Sequence, residues 1–396
     1  MVAGPRDGAD YDSKAVDPLE ARDLYPLLRR HIFMNHAGVA PMSERARAAV
    51  HQVMEELSAR PYPDNWAREE ADRLRERLAR IFGVRAGCIA LTRGTAHGLS
   101  LLAQGLDWRQ GDNVVGAEGE YPANVYPWMA LQGRGVEYRM ARCVDGRVTP
   151  EAVLELVDGR TRVVALSQVE FWNGYRVDIA AIGEECRRRG VIMAVDVIQS
   201  AGALRVDLDG LNADFAAAGA YKWLLGPIGI GFCYIQPELL ERLQPALVGA
   251  GSVKNYRDFF HYDLKFALNS RRFEESSVSL LDIAAFAAAA DLIQEVGIER
   301  IERRVLDLGA RLASGLAERG YELLPPWPRG SEESSGIVSF RKPGASPQEP
   351  MRDLTAAGVV GRVHADFVRL SPHFYNTEEE VDRVLSVLAP EHELRS

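Results

Sequence analysis

Short apolar segments alternate with amphipathic ones through the middle of the chain, from about residue 88 to residue 235. Apolar segments of strand length lie at 88–92, 113–117, 136–140, 162–167, 191–196, 213–219 and 229–235. Helical spacing occurs between them, near 95–105, 123–132, 150–157 and 178–189. Strands that are buried on both faces and joined by helices form a largely parallel sheet covered by helices. The pattern therefore predicts an α/β fold with a mostly parallel seven-stranded sheet, in which the last strand is antiparallel because only a short connection precedes it.

The regions on either side of this alternating segment are mainly helical. Helices are predicted over 43–58, 66–82 and 280–319, the last interrupted at Gly297, and shorter strands follow at 336–341, 359–363 and 366–370. The final helix starts with a capping box formed by Thr377 and Glu380. We predict an N-terminal arm over residues 1–30 that packs with the small domain, a large domain over 31–275 and a smaller C-terminal α/β domain over 276–396.

The composition narrows the class of protein. Apolar residues make up 47% of the chain and charged residues 26%, which is typical of a globular protein rather than a disordered or fibrous one. The net charge of −9 argues against nucleic acid or an anionic membrane as the main partner. No apolar run is long enough to span a membrane, and the N-terminus does not resemble a signal peptide. Together with four cysteines that show no pairing pattern, these features predict a cytoplasmic protein.

A glycine-containing turn with the sequence TRGTAHG, residues 92–98, follows the first predicted strand of the sheet and opens a helix. Ligands of open parallel sheets bind at the carboxyl ends of the strands, so polar residues at this edge carry functional information. Free amides at the helix start, together with the Thr95 hydroxyl, can hold a phosphate. The alternative is a strand–turn–helix junction that needs glycine only for its backbone.

Two oppositely charged residues follow later strands of the sheet. Asp196 ends a buried strand, where a carboxylate needs a cationic partner because burying it alone is costly. Lys222 lies among Tyr221, Trp223 and Leu224, and desolvation there would lower its pKa and free an amine to form a Schiff base. The alternatives are a helix cap or ion pair for Asp196 and a surface position for Lys222.

An aromatic residue and an arginine complete the set of candidates. Tyr121 follows the strand at 113–117, where its ring could stack on a planar cofactor or belong to the core. Arg369 lies on a predicted strand of the small domain, where its guanidinium could clamp a carboxylate or form a structural ion pair. A phosphate anchor, a carboxylate for a pyridine nitrogen and a lysine for an aldehyde are what pyridoxal 5′-phosphate (PLP) requires of a protein. The candidates therefore predict PLP as the cofactor.

With these motifs in this order, the sequence resembles the fold-type-I PLP enzymes. More narrowly, it resembles the class V aminotransferase family, which includes cysteine desulfurases, isopenicillin N epimerase-like proteins and C–S lyases. The resemblance runs from NHAGVAP, which begins at Asn35, to the helix that follows Thr377. It implies a fold-type-I PLP-dependent transferase architecture and a homodimer with the active site at the subunit interface.

The resemblance also assigns roles at the cofactor. It places Thr95 and the Ala96 amide on the phosphate, and Tyr121 on the face of the ring. It places Gln168 and Gln199 at the phenolic oxygen, Asp196 at the pyridine nitrogen and Lys222 on the aldehyde. In place of a histidine common in the family, Tyr221 would compensate with its hydroxyl at the phosphate, and Ser277 of RRFEESS would reach the neighbouring subunit's phosphate. For the substrate, the resemblance implies that Arg369 binds the carboxylate, and Asn35 is assigned to the same task.

The family offers several reactions at the substrate Cα. Desulfurases that relay sulfur carry a mobile-loop cysteine, which the segment GVVGRVHADFVRL lacks. Because a persulfide relay needs a nucleophilic thiol, we expect β-elimination of the C–S lyase type. Transamination and epimerisation are the alternatives, followed by a non-catalytic PLP-binding protein. Tyr126 and His261 are candidates for a general acid, and Tyr126, Glu170, Trp172 and His97 are candidates for the substrate pocket.

Overall fold

The computed structural model describes residues 16–389. Its α-helices are α1 (Glu44–Ala59), α2 (Trp66–Phe82), α3 (Thr95–Gly105), α4 (Tyr126–Met129), α5 (Pro150–Leu154), α6 (Ile179–Arg189), α7 (Pro237–Arg242), α8 (Leu280–Val296), α9 (Ile298–Glu318), α10 (Gln348–Ala356) and α11 (Glu378–Val387). Its strands are β1 (Ile32–Phe33), β2 (Ile89–Thr92), β3 (Asn113–Ala117), β4 (Glu137–Ala141), β5 (Thr161–Ser167), β6 (Ile192–Asp196), β7 (Phe215–Gly219), β8 (Gly231–Ile235), β9 (Glu322–Leu324), β10 (Val338–Arg341), β11 (Val359–Val360), β12 (Arg362–His364) and β13 (Phe367–Leu370).

The central sheet has the strand order β2-β8-β7-β6-β5-β3-β4. Pairing is parallel from β4 through to β7, whereas β8 runs antiparallel to both β7 and β2. Side chains alternate between two buried apolar layers, since Val163 and Ala165 of β5 pack in one core and Val164 and Leu166 in the other. The predicted seven-stranded, mostly parallel sheet is confirmed, including the direction of its last strand.

A second, antiparallel sheet has the order β12-β13-β10-β9, and the two-residue strands β1 and β11 pair in parallel beside it. The sequence pattern missed β1 and β9, because two or three residues are too few to show periodicity. The domain boundary at 275 stays a prediction. After it, α8 packs on α1 and α2, and it is the later part of α9, with Leu308 and Leu312, that enters the apolar core of the second sheet.

The helix predicted near 123–132 is wrong in its extent. Only α4, four residues long, is α-helical there, and 3₁₀ turns flank it on both sides. Pro127 explains the difference, because proline lacks the amide proton that a continuous helix would need at this position. The helix predicted over 150–157 is also shorter, ending as α5 at Leu154.

The arm predicted for residues 1–30 lies partly outside the described residues, which begin at 16. Within the described part, Arg22 forms an ion pair with Glu380, and the rings of Tyr25 and Tyr375 lie 4.4 Å apart. Glu380 also completes the predicted capping box with Thr377 at the start of α11. Among residues 16–389, none of the helices combines the length and the apolar character that a membrane crossing requires.

Candidate active site

Lys222 and Asp196 lie at the carboxyl edge of the central sheet. Asp196 is the last residue of β6, and Lys222 follows the neighbouring strand β7 by three residues. Both side chains are buried, with Lys222 only 6% exposed. The surface alternative for Lys222 is therefore wrong, and the lysine and the carboxylate share one buried region.

The environment of Lys222 favours the neutral amine. Burial lowers the pKa of Lys222 to about 8; Asp196 opposes this shift, and the charge on Arg369 adds to it. The amine lies 5.5 Å from the ring centroid of Tyr121 and 5.9 Å from that of Tyr221. The lowered pKa makes the unprotonated amine, the form that attacks an aldehyde, more abundant at neutral pH than it is for an ordinary lysine, although the protonated form still predominates.

Asp196 is held as a carboxylate in spite of its burial. Burial raises its pKa to about 6, while the backbone N–H of Ile198, which donates to Oδ1 at 2.9 Å, and the charge on Lys222 lower it. Near neutral pH the side chain is therefore mostly ionised and needs a positive partner. A protonated ring nitrogen would satisfy that need.

The predicted phosphate turn is an open helix start. Gly94 precedes α3 with a φ of 147°, and no side chain caps the helix. Thr95 Oγ1 accepts a hydrogen bond of 3.1 Å from the backbone N–H of Gly219 at the end of β7, so its own proton remains to be donated. A Cβ at Gly98 would lie 2.8 Å from the Cβ of Ala217, which shows how closely α3 packs on β7. The amides of Thr95 and Ala96 are thus fixed beside the Lys222 loop in a geometry that suits an anion.

The two predicted glutamines differ in what they leave free. Gln168 Oε1 is buried and has no hydrogen-bond partner within residues 16–389. Gln199, in contrast, accepts from Trp223 Nε1 at 2.9 Å and donates to the Ala37 carbonyl at 3.2 Å. Gln168 Oε1 therefore offers a complete acceptor to a ligand, whereas Gln199 has one amide proton and one lone pair of Oε1 left.

Arg369 and Asn35 lie on neighbouring segments, since Asn35 pairs with Ser371, two residues after Arg369. Arg369, on β13, is buried and donates from Nη1 to the Phe171 carbonyl, while its Nε is buried without an acceptor among the described residues. Burial lowers the pKa of Arg369 to about 10. The Oδ1 of Asn35 is also buried and unpaired in the described chain. The unsatisfied guanidinium is suited to a carboxylate, to which the amide nitrogen of Asn35 could also donate, whereas its Oδ1 is an acceptor and could not.

Other predicted residues are not brought to this position within one chain. Ser277 is exposed and lines a different cavity, with Arg68 and Arg271. Tyr126 is 65% exposed, and His261 is exposed and contacts Asp258 at 3.0 Å. In the part of the chain that the structure describes, neither Tyr126 nor His261 makes a hydrogen bond to Lys222, Asp196 or Arg369.

Two further buried carboxyl groups lie near Asp196. The sequence analysis missed Glu120, whose carboxylate accepts from the Ser167 hydroxyl at 2.6 Å and whose pKa burial raises to about 7. Glu170, a pocket candidate, is 1% exposed, both its oxygens lack partners among residues 16–389, and burial raises its pKa well above the usual range. The sequence feature that could have identified Glu120 as a site residue is its position three residues after the end of β3.

The other two pocket candidates, His97 and Trp172, differ in whether their side chains already have a hydrogen-bond partner. His97 accepts from the Arg93 amide, whereas Trp172 Nε1 is buried without a partner in the described chain. Within residues 16–389, no cluster of three or more histidine, cysteine or carboxylate side chains could hold a metal ion.

Comparison with known proteins decides the family. The family model described as aminotransferase class-V matches residues 36–384. The chain belongs to the aminotransferase class-V family. Isopenicillin N epimerase from Streptomyces clavuligerus is 30% identical, over 93% of this chain and 97% of its own length.

Solved structures of class-V relatives extend the comparison. A cystine C–S lyase in complex with its reaction product, cysteine persulfide, matches with a TM-score of 0.83 and 26% identity, over 92% of this chain and 100% of its own. A mutant of that enzyme with glycine covalently linked to the PLP cofactor matches with a TM-score of 0.84 and 25% identity, over 93% and 98%. These findings confirm the predicted family and fold class, and they confirm the prediction of a PLP-dependent enzyme.

The residues of this chain fit PLP. The uncapped start of α3 suits a phosphate, the unpaired Gln168 Oε1 suits a phenolic group, and the carboxylate of Asp196 suits a protonated ring nitrogen. Lys222 supplies a buried amine of lowered pKa for the aldehyde. The individual contacts assigned to these residues remain proposals.

Proposed function

We propose that this class-V enzyme cleaves a β-substituent from an amino acid or amino-acid conjugate, in a reaction of the C–S lyase type at Lys222. The observation that carries the proposal is a buried lysine of lowered pKa. Lys222 lies close enough to Asp196 and Arg369 for the charge of each to shift this pKa. The cystine C–S lyase, which shares the fold over nearly the whole chain, supports this reaction.

The thiols of the chain favour a lyase over a sulfur relay. Cys88, Cys186 and Cys233 are buried, and burial raises the pKa of the partly exposed Cys143 to about 11. None of them is therefore a ready thiolate nucleophile. All four are free thiols, which supports the further proposal that the enzyme is cytoplasmic.

Each proposed role follows from a side chain already described. Arg369 and Asn35 bind the substrate carboxylate, and the neutral amine of Lys222 accepts the Cα proton. Asp196 holds a proton at the ring nitrogen, and Tyr121 covers the ring. When bound, PLP supplies the electron sink that stabilises negative charge at Cα.

The reaction type is tested by incubating the PLP-loaded enzyme with thioether and disulfide amino acids. Pyruvate, ammonia and a thiol or persulfide are the products expected of β-elimination. Pyridoxamine phosphate with a keto acid would instead establish transamination. Racemised substrate without elimination would favour epimerisation, the alternative supported by the 30% identity to isopenicillin N epimerase.

Arg369→Gln is expected to raise KM about 100-fold, because a charge-assisted hydrogen bond to the substrate carboxylate contributes about 1.5–3 kcal/mol. The measurement is a comparison of KM and kcat on the substrate that the product assay identifies. Arg362→Gln is the matched control, because Arg362 is exposed and pairs with Arg369 across β12 and β13. Equal effects of the two substitutions would contradict the carboxylate role.

The proposal includes a homodimer, with a second copy of the chain covering an exposed apolar segment, residues 247–268. Its strongly exposed side chains include Leu247, Val248, Phe259, Phe260, Tyr262, Leu264 and Leu268, of which Phe260 is 86% and Tyr262 96% exposed. Exposed aromatic and aliphatic side chains that are concentrated in one segment are typical of protein interfaces. Ser277 lines a cavity with Phe259 of this segment, which supports its assignment to the neighbouring subunit's site.

Phe260→Glu combined with Tyr262→Glu is expected to convert the dimer to a monomer, since two charges would be buried at the interface. Sedimentation equilibrium gives the mass directly. Val144→Glu, at an exposed position outside the segment, is the control. A wild-type protein that sediments as a monomer, or a double variant that remains dimeric, would contradict this interface.

A further inference from the structure

Three carboxyl groups share one buried region at the carboxyl edge of the central sheet. They belong to Asp196, Glu120 and Glu170, and all three side chains are buried. The three residues come from separate segments, since Asp196 ends β6, Glu120 follows β3 and Glu170 follows β5. The roles proposed above use only Asp196. The other two carboxyl groups therefore need an explanation of their own.

Ser167 connects Glu120 to Asp196. Ser167 is the last residue of β5 and pairs with Asp196 on the neighbouring strand β6. Its backbone N–H and its hydroxyl both donate to the Glu120 carboxylate, the hydroxyl at 2.6 Å. Donors of this kind favour the ionised form of a carboxyl group. Glu120 is therefore equipped to carry a negative charge in the vicinity of Asp196.

Glu170 has the opposite environment. It lies in the hairpin formed by residues 168–177, where its backbone N–H donates to the Tyr175 carbonyl at 2.9 Å. Both of its side-chain oxygens are buried and have no hydrogen-bond partner among residues 16–389. The charges that act on Glu170, those of Glu120 and Asp196, are both negative. Because an ion that is buried without a partner is costly, the neutral acid is the favoured form of Glu170.

The other titratable groups around this region supply no counter-charge to the two glutamates. Burial and the charges of both glutamates raise the pKa of Tyr138, on β4, above its usual value. Burial raises the pKa of Cys143, in the loop after β4, to about 11, and the charge of Glu170 adds to this shift. The cation Lys222 acts on Asp196. In the described part of the chain neither glutamate forms an ion pair, so a proton is what remains to neutralise one of them.

We propose that Glu120 and Glu170 form an acid pair of positioning residues at the cofactor site, in which Glu170 keeps its proton through neutral pH and Glu120 is the member that ionises. Two neighbouring carboxyl groups would otherwise compete for the same proton. The charge of Glu120 then adds to that of Asp196 and helps to keep a proton on the ring nitrogen of the cofactor. This inference rests on the role proposed for Asp196 and adds a second charge to it.

The first experiment is infrared spectroscopy of the cofactor-free protein, because a protonated carboxyl group has a band that ionised carboxylates lack. At pH 8 the wild type should show this band from Glu170, since burial raises the pKa of Glu120 only to about 7 and that of Asp196 only to about 6. Glu170→Gln should lose it. The matched control is Glu118→Gln, an exposed carboxylate that accepts from the Cys143 N–H at 3.1 Å, and it should keep the band. A wild type without the band, or a Glu170→Gln variant with an undiminished band, overturns the proposal.

The same band tests whether the two glutamates interact. In Glu120→Gln the Glu170 band should disappear about one pH unit lower than in the wild type, because a repelling charge is gone and Glu170 ionises more easily. If the band disappears at the same pH in both proteins, the two groups are independent and the pair does not exist. Ser167→Ala serves if Glu120→Gln does not fold. It removes a hydroxyl donor that favours ionised Glu120, so the part of the band that is lost near pH 7 should persist to higher pH.

The second experiment follows the visible absorbance of the PLP-loaded enzyme as a function of pH. Glu120→Gln should move the absorbance transition to lower pH by about one unit, because a negative charge that favours the protonated forms of the cofactor is removed. Glu170→Gln should leave the transition in place, because it replaces one neutral group with another. A loss of stability alone would not produce this difference. Equal shifts in the two variants, or no shift in Glu120→Gln, would contradict the proposal.

These outcomes are separate from the reaction at Lys222. The infrared band belongs to the cofactor-free protein, and the absorbance transition requires bound PLP but no substrate. An enzyme that produces pyridoxamine phosphate instead of pyruvate would contradict the proposed function and leave the acid pair unaffected. A protein that eliminates a β-substituent but lacks the Glu170 band would contradict the acid pair and leave the proposed function unaffected.

Discussion

Lys222→Ala is expected to abolish covalent attachment of the cofactor and to lower turnover by at least about 10³-fold. The substitution removes both the amine that condenses with the aldehyde and the proposed base for the Cα proton, and a general base alone contributes on the order of 10²–10⁴. The site offers no substitute, because the chain's other lysines are at 14, 254, 265 and 342. Of these, Lys254, Lys265 and Lys342 are exposed, and residue 14 lies outside the described chain.

The measurement is the protein mass after borohydride reduction, together with the visible absorbance of the purified protein. Wild type should gain the mass of the reduced cofactor on a peptide that contains Lys222, and the variant should not. Lys342→Ala, an exposed lysine of the second sheet region, is the control and should retain both mass gain and activity. A variant that still gains the mass would place the attachment at another amine.

The strands that carry the site could be predicted because a strand that is buried on both faces consists of consecutive apolar residues in the sequence. The run at 113–117 coincides with β3, and the runs that end at Asp196 and precede Lys222 coincide with β6 and β7 to within two residues. The carboxyl edge of a parallel sheet then brings residues that are distant in sequence to one place. This is why the association of Lys222 with Asp196 followed from spacing and topology alone.

What could not be predicted depends on contacts between distant segments. The position of Glu120 after β3 indicates the edge of the sheet, but its burial is not written there, because only the closeness of β3 to β5 buries its carboxylate against Ser167. In the same way, the residues around Glu170 in the sequence do not show that both of its carboxyl oxygens are buried without a partner in the described chain. Its closeness to Glu120 and Asp196 is a property of tertiary packing that no local pattern encodes.

Asp196→Asn is expected to reduce kcat by on the order of 10²–10³ while leaving the cofactor attached. The substitution keeps the shape of the side chain but removes a buried charge that is placed to stabilise a protonated ring nitrogen, and removing one such electrostatic partner typically costs this much. KM should change less than kcat, because Asp196 lies on the cofactor side and Arg369 binds the substrate. A matched control is Asp214→Asn, a half-buried carboxylate that accepts from the Met193 amide at the opposite edge of the sheet.

The same substitution also predicts the direction in which the pH dependence of PLP binding shifts. In the wild type the charge of Asp196 raises the pKa of Lys222, against the burial that lowers it to about 8. The neutral amine is the reactive form, so the rate at which the cofactor-free protein combines with PLP should rise with pH through about 8. In Asp196→Asn the raising influence is gone, and the inflection should move to lower pH. An inflection that stays in place, or moves to higher pH, would mean that the Asp196 carboxylate does not act on the Lys222 amine, and the two side chains would then have to be treated as independent groups.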